Sequence, residues 1–365
     1  MLFTFRSFPK KVAYYIMKKF TFFLKNILPW LMAAGIFYYL FSVYPPSQIF
    51  ASLKQVKLLP FLSFSLFYFF FIYFCDSWVM ARVISRFTHH VSLKDILLAR
   101  GVTYLIMVIN YPASQAAFAY YLKRRYNIPI FQVVGVFLFM MILDLSWIIL
   151  LAFAGSCLED VVLGGVHLSP YVHTVAIMFL CFFLGWIIFW RRWHEKIFGT
   201  FFRFAWIEKI RQQKVFHIFE QARLKDYLST ALLRIPIHFT IIVSIYIVVQ
   251  TFDAFIPFTK IIGNIPIVFL IGMLPITPGG LGTTNAAMVE MLSPFMTSPL
   301  FTAGKISPEE LMLAMSLLWM FINYLLKALL GMFLLRKVSK NLFKPTTDES
   351  LEDIEKKAAH LGGNI

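Results

Sequence analysis

Long apolar runs separated by short basic segments set the plan of this chain. Six runs approach or exceed the roughly 20 residues a helix needs to cross a bilayer. They cover about 26–43, 58–79, 129–154, 171–190, 228–252 and 309–335. Two further runs are interrupted, 96–122 near Pro112 and 261–293 across 275–282. Neither leaves enough residues beside its break for two crossings. The spacing predicts a helix entering the membrane, a turn at depth and a half-helix leaving by the same side. The alternative is one crossing kinked at the break.

The second break reads Leu274-Pro275-Ile276-Thr277-Pro278-Gly279-Gly280-Leu281-Gly282. Proline lacks an N–H and glycine gains little from helical order, so no helix continues through it. Broken backbone at membrane depth is tolerated only where protein or a wet cavity covers it. That makes the segment a candidate site. A weaker copy is Asn110-Tyr111-Pro112-Ala113-Ser114-Gln115. Paired interruptions in corresponding halves are the sequence mark of a repeat-built transporter.

Charge orients the runs. Arg6, Lys10, Lys11, Lys18, Lys19 and Lys25 place the N-terminus in the cytoplasm by the positive-inside rule. Counting crossings from there, the inner loops hold Arg82, Arg86, Lys94, Lys123, Arg124, Arg125 and the basic run 191–226, while the outer loops keep only Lys54, Lys57, Lys260 and Lys305. The interrupted elements then enter from opposite sides, each bracketed by one span before and one after. The expected fold is an all-α polytopic membrane protein, about six full spans plus two re-entrant broken hairpins in an inverted repeat. Its parts are a basic cytoplasmic segment 1–25, a membrane domain 26–337 and a cytoplasmic tail 338–365. Within the membrane domain, repeat 1 covers about 58–154, a linker span and basic loop 171–226, and repeat 2 about 228–335. The run 191–226 is an amphipathic helix on anionic headgroups or an ordinary basic loop.

Charged residues make up only 14% of the chain, against about a quarter in soluble domains. Ionisable groups inside spans are costly and rare, so each is a candidate by default. Asp144 is central in its span. Arg234 and Lys327 lie toward the inner ends of theirs, Arg100 on the first re-entrant helix and Glu290 on the second half-helix. The three cations either snorkel to headgroups or face the site. Asp144 cannot snorkel and is expected to pair with one of them. Asp76, near a membrane boundary, reads as a solvated end. Thr283, Thr284 and Asn285 open the helix after Gly282, where they either cap free N–H groups or leave a helix end for an anion. The sequence has no HExxH, P-loop, GxSxG or paired-carboxylate pattern to support catalysis, and Cys75, Cys157 and Cys181 lack metal-ligand spacing. No catalytic residue, metal or cofactor is expected. The basic residues flank spans, which argues against a nucleic-acid partner.

The segment Leu274–Gly282 followed by Asn285-Ala286-Ala287 resembles the hallmark of the lysylphosphatidylglycerol synthase transmembrane-region family. These are flippase-like proteins related to the membrane half of the bacterial multiple peptide resistance factor. Pro112-Ala113-Ser114-Gln115 through Lys123-Arg124-Arg125, with Ile128-Pro129, is similar to that family's other signature, and Leu143-Asp144 fits the following span. The resemblance covers about 20–337. Against the family pattern, Asn285 stands for a glutamate, Ser114-Gln115 for a Gly-Glu pair, Phe118 for an arginine and Met140-Met141 for a Glu-Arg pair. The family's aminoacyl-transferase domain is not expected in this chain.

The resemblance implies a lipid translocase of the cytoplasmic (inner) membrane that moves or binds an anionic phospholipid or lipid-linked substrate at a midplane cavity. The rival is a non-transporting accessory protein, or a subunit of a lipid-modifying or glycosyltransferase system, docking a soluble or membrane partner on 191–226. The expected substrate-binding set is Asn110, Pro112, Ser114, Gln115, Asp144, Arg234, Pro275, Thr277, Pro278, Gly279, Gly280, Gly282, Asn285 and Lys327, with the two breaks lining one polar cavity. Oligomeric state is not legible in the sequence.

Overall fold

A computed structural model describes residues 27–192, 213–274, 276–302, 304 and 306–342. The N-terminal basic segment, 193–212 of the basic loop, Pro275 and the tail beyond Leu342 lie outside the described residues. The helices are α1 Leu28–Val43, α2 Pro46–Leu53, α3 Leu58–Phe87, α4 Leu93–Met107, α5 Tyr111–Tyr126, α6 Ile130–Leu158, α7 Ser169–Arg192 and α8 His217–Gln221. They continue with α9 Leu224–Gln250, α10 Phe258–Met273, α11 Thr283–Leu292, α12 Pro299–Thr302 and α13 Pro308–Leu342. A two-residue-strand hairpin, β1 Val162–Leu163 with β2 Val166–His167, turns through Gly164 and Gly165, both at positive φ.

Among the described residues, α3, α6, α7, α9 and α13 are long and apolar enough to cross a membrane. Their exposed faces are apolar too: Ile177, Met178 and Phe182 on α7 stand open at 60%, 67% and 58%. Such continuous apolar surface suits lipid and not water. The expected first span departs from the rest. α1 has 16 residues and bends by 83° into α2, because Pro45 and Pro46 cannot continue it. Counted as one span, the bent pair makes a sixth.

The chain divides into two compact units. One comprises Met1–Phe64, Leu145–Phe182 and His238–Met320; the other comprises Ser65–Asp144, Phe183–Ile237 and Phe321–Ile365. In the first, Phe61 packs edge-on between Phe252 and Trp319, each ring centroid 6.2 Å away. A Cβ at Gly155 would sit 2.6 Å from the Ile262 carbonyl oxygen, so α6 and α10 meet backbone to backbone. Beside that contact Lys260 donates to Glu159. This hydrogen bond holds the Glu159 carboxyl, just past the end of α6, below its ordinary pKa.

The second unit has an aromatic core in which Phe118, Phe139 and Phe219 are fully buried, with Trp186, Trp190 and Tyr227 packed around them. Here α4 and α5 form a helical hairpin, side by side. The Ser92 hydroxyl accepts from Asp95 N–H to cap α4, and Asn127 ends α5 in the left-handed conformation at φ 55°. Glycines bring α4 against the C-terminal part of α13. A Cβ at Gly101 would lie 2.3 Å from Leu334 Cδ1, and one at Gly331 would lie 2.7 Å from Leu105 Cβ.

Candidate functional site

The second unit encloses a chain of alternating charges. Arg100 donates from Nε to Asp76 Oδ2 at 2.9 Å. The other Asp76 oxygen accepts from Arg234 Nη1 at 2.7 Å. Arg234 also grips Asp144 with its two other nitrogens, Nε to Oδ1 at 2.7 Å and Nη2 to Oδ2 at 2.5 Å. Asp76, Arg100 and Arg234 are all below 9% exposed, and the Asp144 side chain is more open at 24%. Charges this buried are tolerated only when paired and fully hydrogen-bonded. The planar arginine fork makes that possible, because one guanidinium serves two carboxylates at once.

Local structure delivers each member. Asp76 sits well inside α3, whose 30 residues continue past the expected boundary to Phe87. Asp76 is therefore no solvated end; it bridges two arginines. Arg100 and Arg234 do not snorkel, since both guanidinium groups are spent on carboxylates. Gln115, on α5, accepts from Arg100 at 3.3 Å, while its buried Nε2 has no hydrogen-bond partner among the described residues. Lys327 lies over two rings, 5.9 Å from Tyr104 and 5.3 Å from Tyr324. It reaches no carboxylate among the described residues. Tyr104 is one turn from Arg100, so the glycine-tight approach of α4 to α13 sets Lys327 beside the ionic chain.

Other predicted residues near the first break play local parts. The break lies at Val108–Asn110, ahead of Pro112, which sits inside the first turn of α5. Proline is accommodated there because its missing N–H would have no helical partner. Asn110 caps α5 by accepting from Ala113 N–H at 2.9 Å, and the buried Ser114 hydroxyl donates to the Tyr111 carbonyl.

The turn between α10 and α11, in the first unit, is tight and neutral. Gly279, Gly280 and Gly282 adopt φ of 61°, 75° and 83°, the left-handed region open to glycine. A Cβ at Gly280 would stand 2.6 Å from Thr284 Oγ1 and 2.9 Å from the Gly272 carbonyl. Gly282 packs on Ile36 of α1. The buried Thr277 and Thr283 hydroxyls bond each other at 3.1 Å, and Thr283 also donates to the Gly280 carbonyl following Pro278 and Gly279. Asn285 Oδ1 accepts from Gly282 N–H at 3.2 Å while its Nδ2 donates to Ser316 at 2.9 Å. Of the two readings for this helix start, capping describes what Asn285 does. Glu290 is exposed.

Asp76 is the functional candidate that sequence reasoning placed elsewhere, and a signal for it existed. No glycine or proline occurs between Phe61 and Arg100, so nothing in the sequence ends α3 near residue 79. Arg100 was recognised as an ion at depth without its partner being identifiable. Among the described residues, no group of three His, Cys, Asp or Glu side chains is arranged to hold a metal.

Long apolar helices with lipid-facing surfaces, interrupted pairs and a buried ionic chain define a multi-pass, all-α membrane protein. Residues 26–331 match the family model described as the lysylphosphatidylglycerol synthase TM region, and the chain belongs to that family. Membership relates it to lipid modification or transport. No curated protein and no solved structure matches it.

Proposed function

We propose that this protein binds an anionic phospholipid, or a lipid-linked anion, at the charge cluster of the second unit and translocates it across the cytoplasmic membrane. One observation carries the reading. Two carboxylates, Asp76 and Asp144, face three cations, Arg100, Arg234 and Lys327, and the last makes no ion pair among the described residues and lies over Tyr104 and Tyr324. The cluster carries one excess positive charge. A phosphodiester supplies the matching negative charge, and the unpaired amide N–H of Gln115 is an added donor for it. The role assigned is binding and passage, with no catalytic step.

The proposed setting follows the charge pattern: both termini inside, 156–170 and 294–308 outside, and two span–hairpin–span repeats of opposite polarity whose rocking alternates exposure. Single-cysteine labelling at position 160 tests the orientation, and labelling from the cytoplasmic side only would reverse every later element. Function is tested in proteoliposomes carrying fluorescent phosphatidylglycerol, whose movement is read by dithionite quenching. Wild-type protein should accelerate flipping, and Lys327→Gln should slow it several-fold. Equal flipping in protein-free vesicles would sink the transport reading.

A non-transporting accessory role is the second reading. The closed hydrogen bonding of the α10–α11 turn favours it, because Thr277, Thr283 and Asn285 have their polar groups engaged within the first unit.

A further inference from the structure

The second unit also contains an open cleft of about 610 Å³, separate from the ionic chain in its lining and bounded by the C-terminal end of α3 and the N-terminal end of α9. Its charges are unequal in their commitments. Arg86 is bound bidentately to Asp226, at 2.9 and 3.2 Å, so that pair is neutral. Arg82 lies with its guanidinium 4.7 Å from the Trp78 ring and meets no carboxylate among the described residues. Thr230, only 5% exposed, lines the same cleft. The remaining walls are largely apolar, with Phe87 and Leu233 among them.

We infer that this cleft is a second lipid site, in which Arg82 and Thr230 hold the phosphate of a membrane phospholipid while Trp78, Phe87 and Leu233 receive its glycerol and upper acyl carbons. Arginine stacked on an aromatic ring keeps its outer edge free, and that edge matches two phosphate oxygens. A free phosphate ion would satisfy Arg82 equally but would leave the apolar walls facing water. The lipid covers both. The inference goes beyond translocation: it requires a bilayer and a phosphate, and no movement of either.

The test is equilibrium occupancy of the intact purified protein, read by native mass spectrometry. Phosphatidylglycerol and diacylglycerol are titrated separately, with inorganic phosphate as competitor. Losing a charge-assisted hydrogen bond weakens binding by about tenfold. Arg82→Gln should therefore weaken one phosphatidylglycerol site by that factor and leave diacylglycerol binding unchanged. Arg82→Lys keeps the charge but loses the stacked planar fork, so it should fall between wild type and Arg82→Gln. Because Arg82 is in no ion pair among the described residues, the melting temperature of Arg82→Gln should match wild type, which separates lost binding from lost folding. Unchanged phosphatidylglycerol occupancy in Arg82→Gln would overturn the proposal. Full displacement of the lipid by millimolar phosphate would overturn its lipid part and leave an anion site. Both results are independent of flipping rates, so this site and the translocase reading stand or fall apart.

Discussion

The two interrupted elements look alike in sequence and are held together by opposite means. In α4–α5 Asn110 and Ser114 bond locally, but Arg100 reaches out to Asp76 on α3 and carries Gln115 with it. At the α10–α11 break the polar residues bond mainly to one another, Thr277 with Thr283 and Asn285 back to Gly282, with one bond out from Asn285 to Ser316. One break is tied to its surroundings by buried long-range ion pairs, the other by glycine-permitted contact and neutral caps, the Lys260–Glu159 pair lying at the far end of α10. A proline flanked by small and amide residues thus specifies a break in a helix, without specifying whether the break is a site or a seal. The ions that decide lie on neighbouring helices, far away in sequence.

The largest effect expected from breaking this contrast is at Asp76. Asp76→Leu leaves Arg100 and half of Arg234 buried without a counter-charge, and removing one partner of such a pair costs about 3–5 kcal/mol. Thermal unfolding in detergent should drop accordingly, with flipping lost. Asp144→Asn should cost less, since that side chain is more open, yet should still impair flipping. If both variants unfold and flip like wild type, the ionic chain is spare.

Next comes Gly280→Val. A β-branched residue at φ 75° is strained by roughly 1–3 kcal/mol before it meets Thr284 and the Gly272 carbonyl. The loss of stability is steric and should be the same at low and high ionic strength. A Gly280→Val protein as stable as wild type would show that the turn is looser than its glycines indicate.

Asn285→Ala removes a cap and leaves Ser316 short of a donor, a loss of about 1–2 kcal/mol, with phosphatidylglycerol affinity unchanged. Lost affinity there would return the α10–α11 turn to the binding site. The smallest effect belongs to Glu159 and Lys260. Because the folded carboxyl has a lowered pKa, its contribution is present above the unfolded value near 4.5 and fades as pH falls through the folded one. As a partly exposed pair it should contribute below about 1 kcal/mol, seen as a small acid-side loss of melting temperature missing from Glu159→Gln.

These contrasts also mark how far the sequence could be read. The long spans were legible because hydropathy and the lack of backbone alternatives in lipid leave little choice. Asp144 and Arg234 stood out as ions in apolar surroundings, and the short aspartate side chain called for a cationic partner among Arg100, Arg234 and Lys327, which the structure identifies as Arg234. Asp76 was hidden by its own helix: α3 is longer than a bilayer requires, and the basic residues Arg82 and Arg86 mimic a loop. The bend between α1 and α2 was hidden because Pro45 and Pro46 follow an apolar run of nearly spanning length. Which polar groups at a break would find partners nearby depends on helix packing, and no local pattern encodes it.

The ionic chain also imposes a timetable on synthesis. Asp76 meets its first counter-charge, Arg100, 24 residues later, but Asp144 must wait 90 residues for Arg234, the same arginine that completes Asp76 after 158. At about 5–20 residues per second, the ribosome needs several seconds or more to supply Arg234 after Asp144. An aspartate at the centre of a lone helix costs about 2.5–3.5 kcal/mol during that interval. The nascent α6 therefore has reason to linger beside the insertion machinery until α9 emerges, so that the two helices enter lipid as a pair.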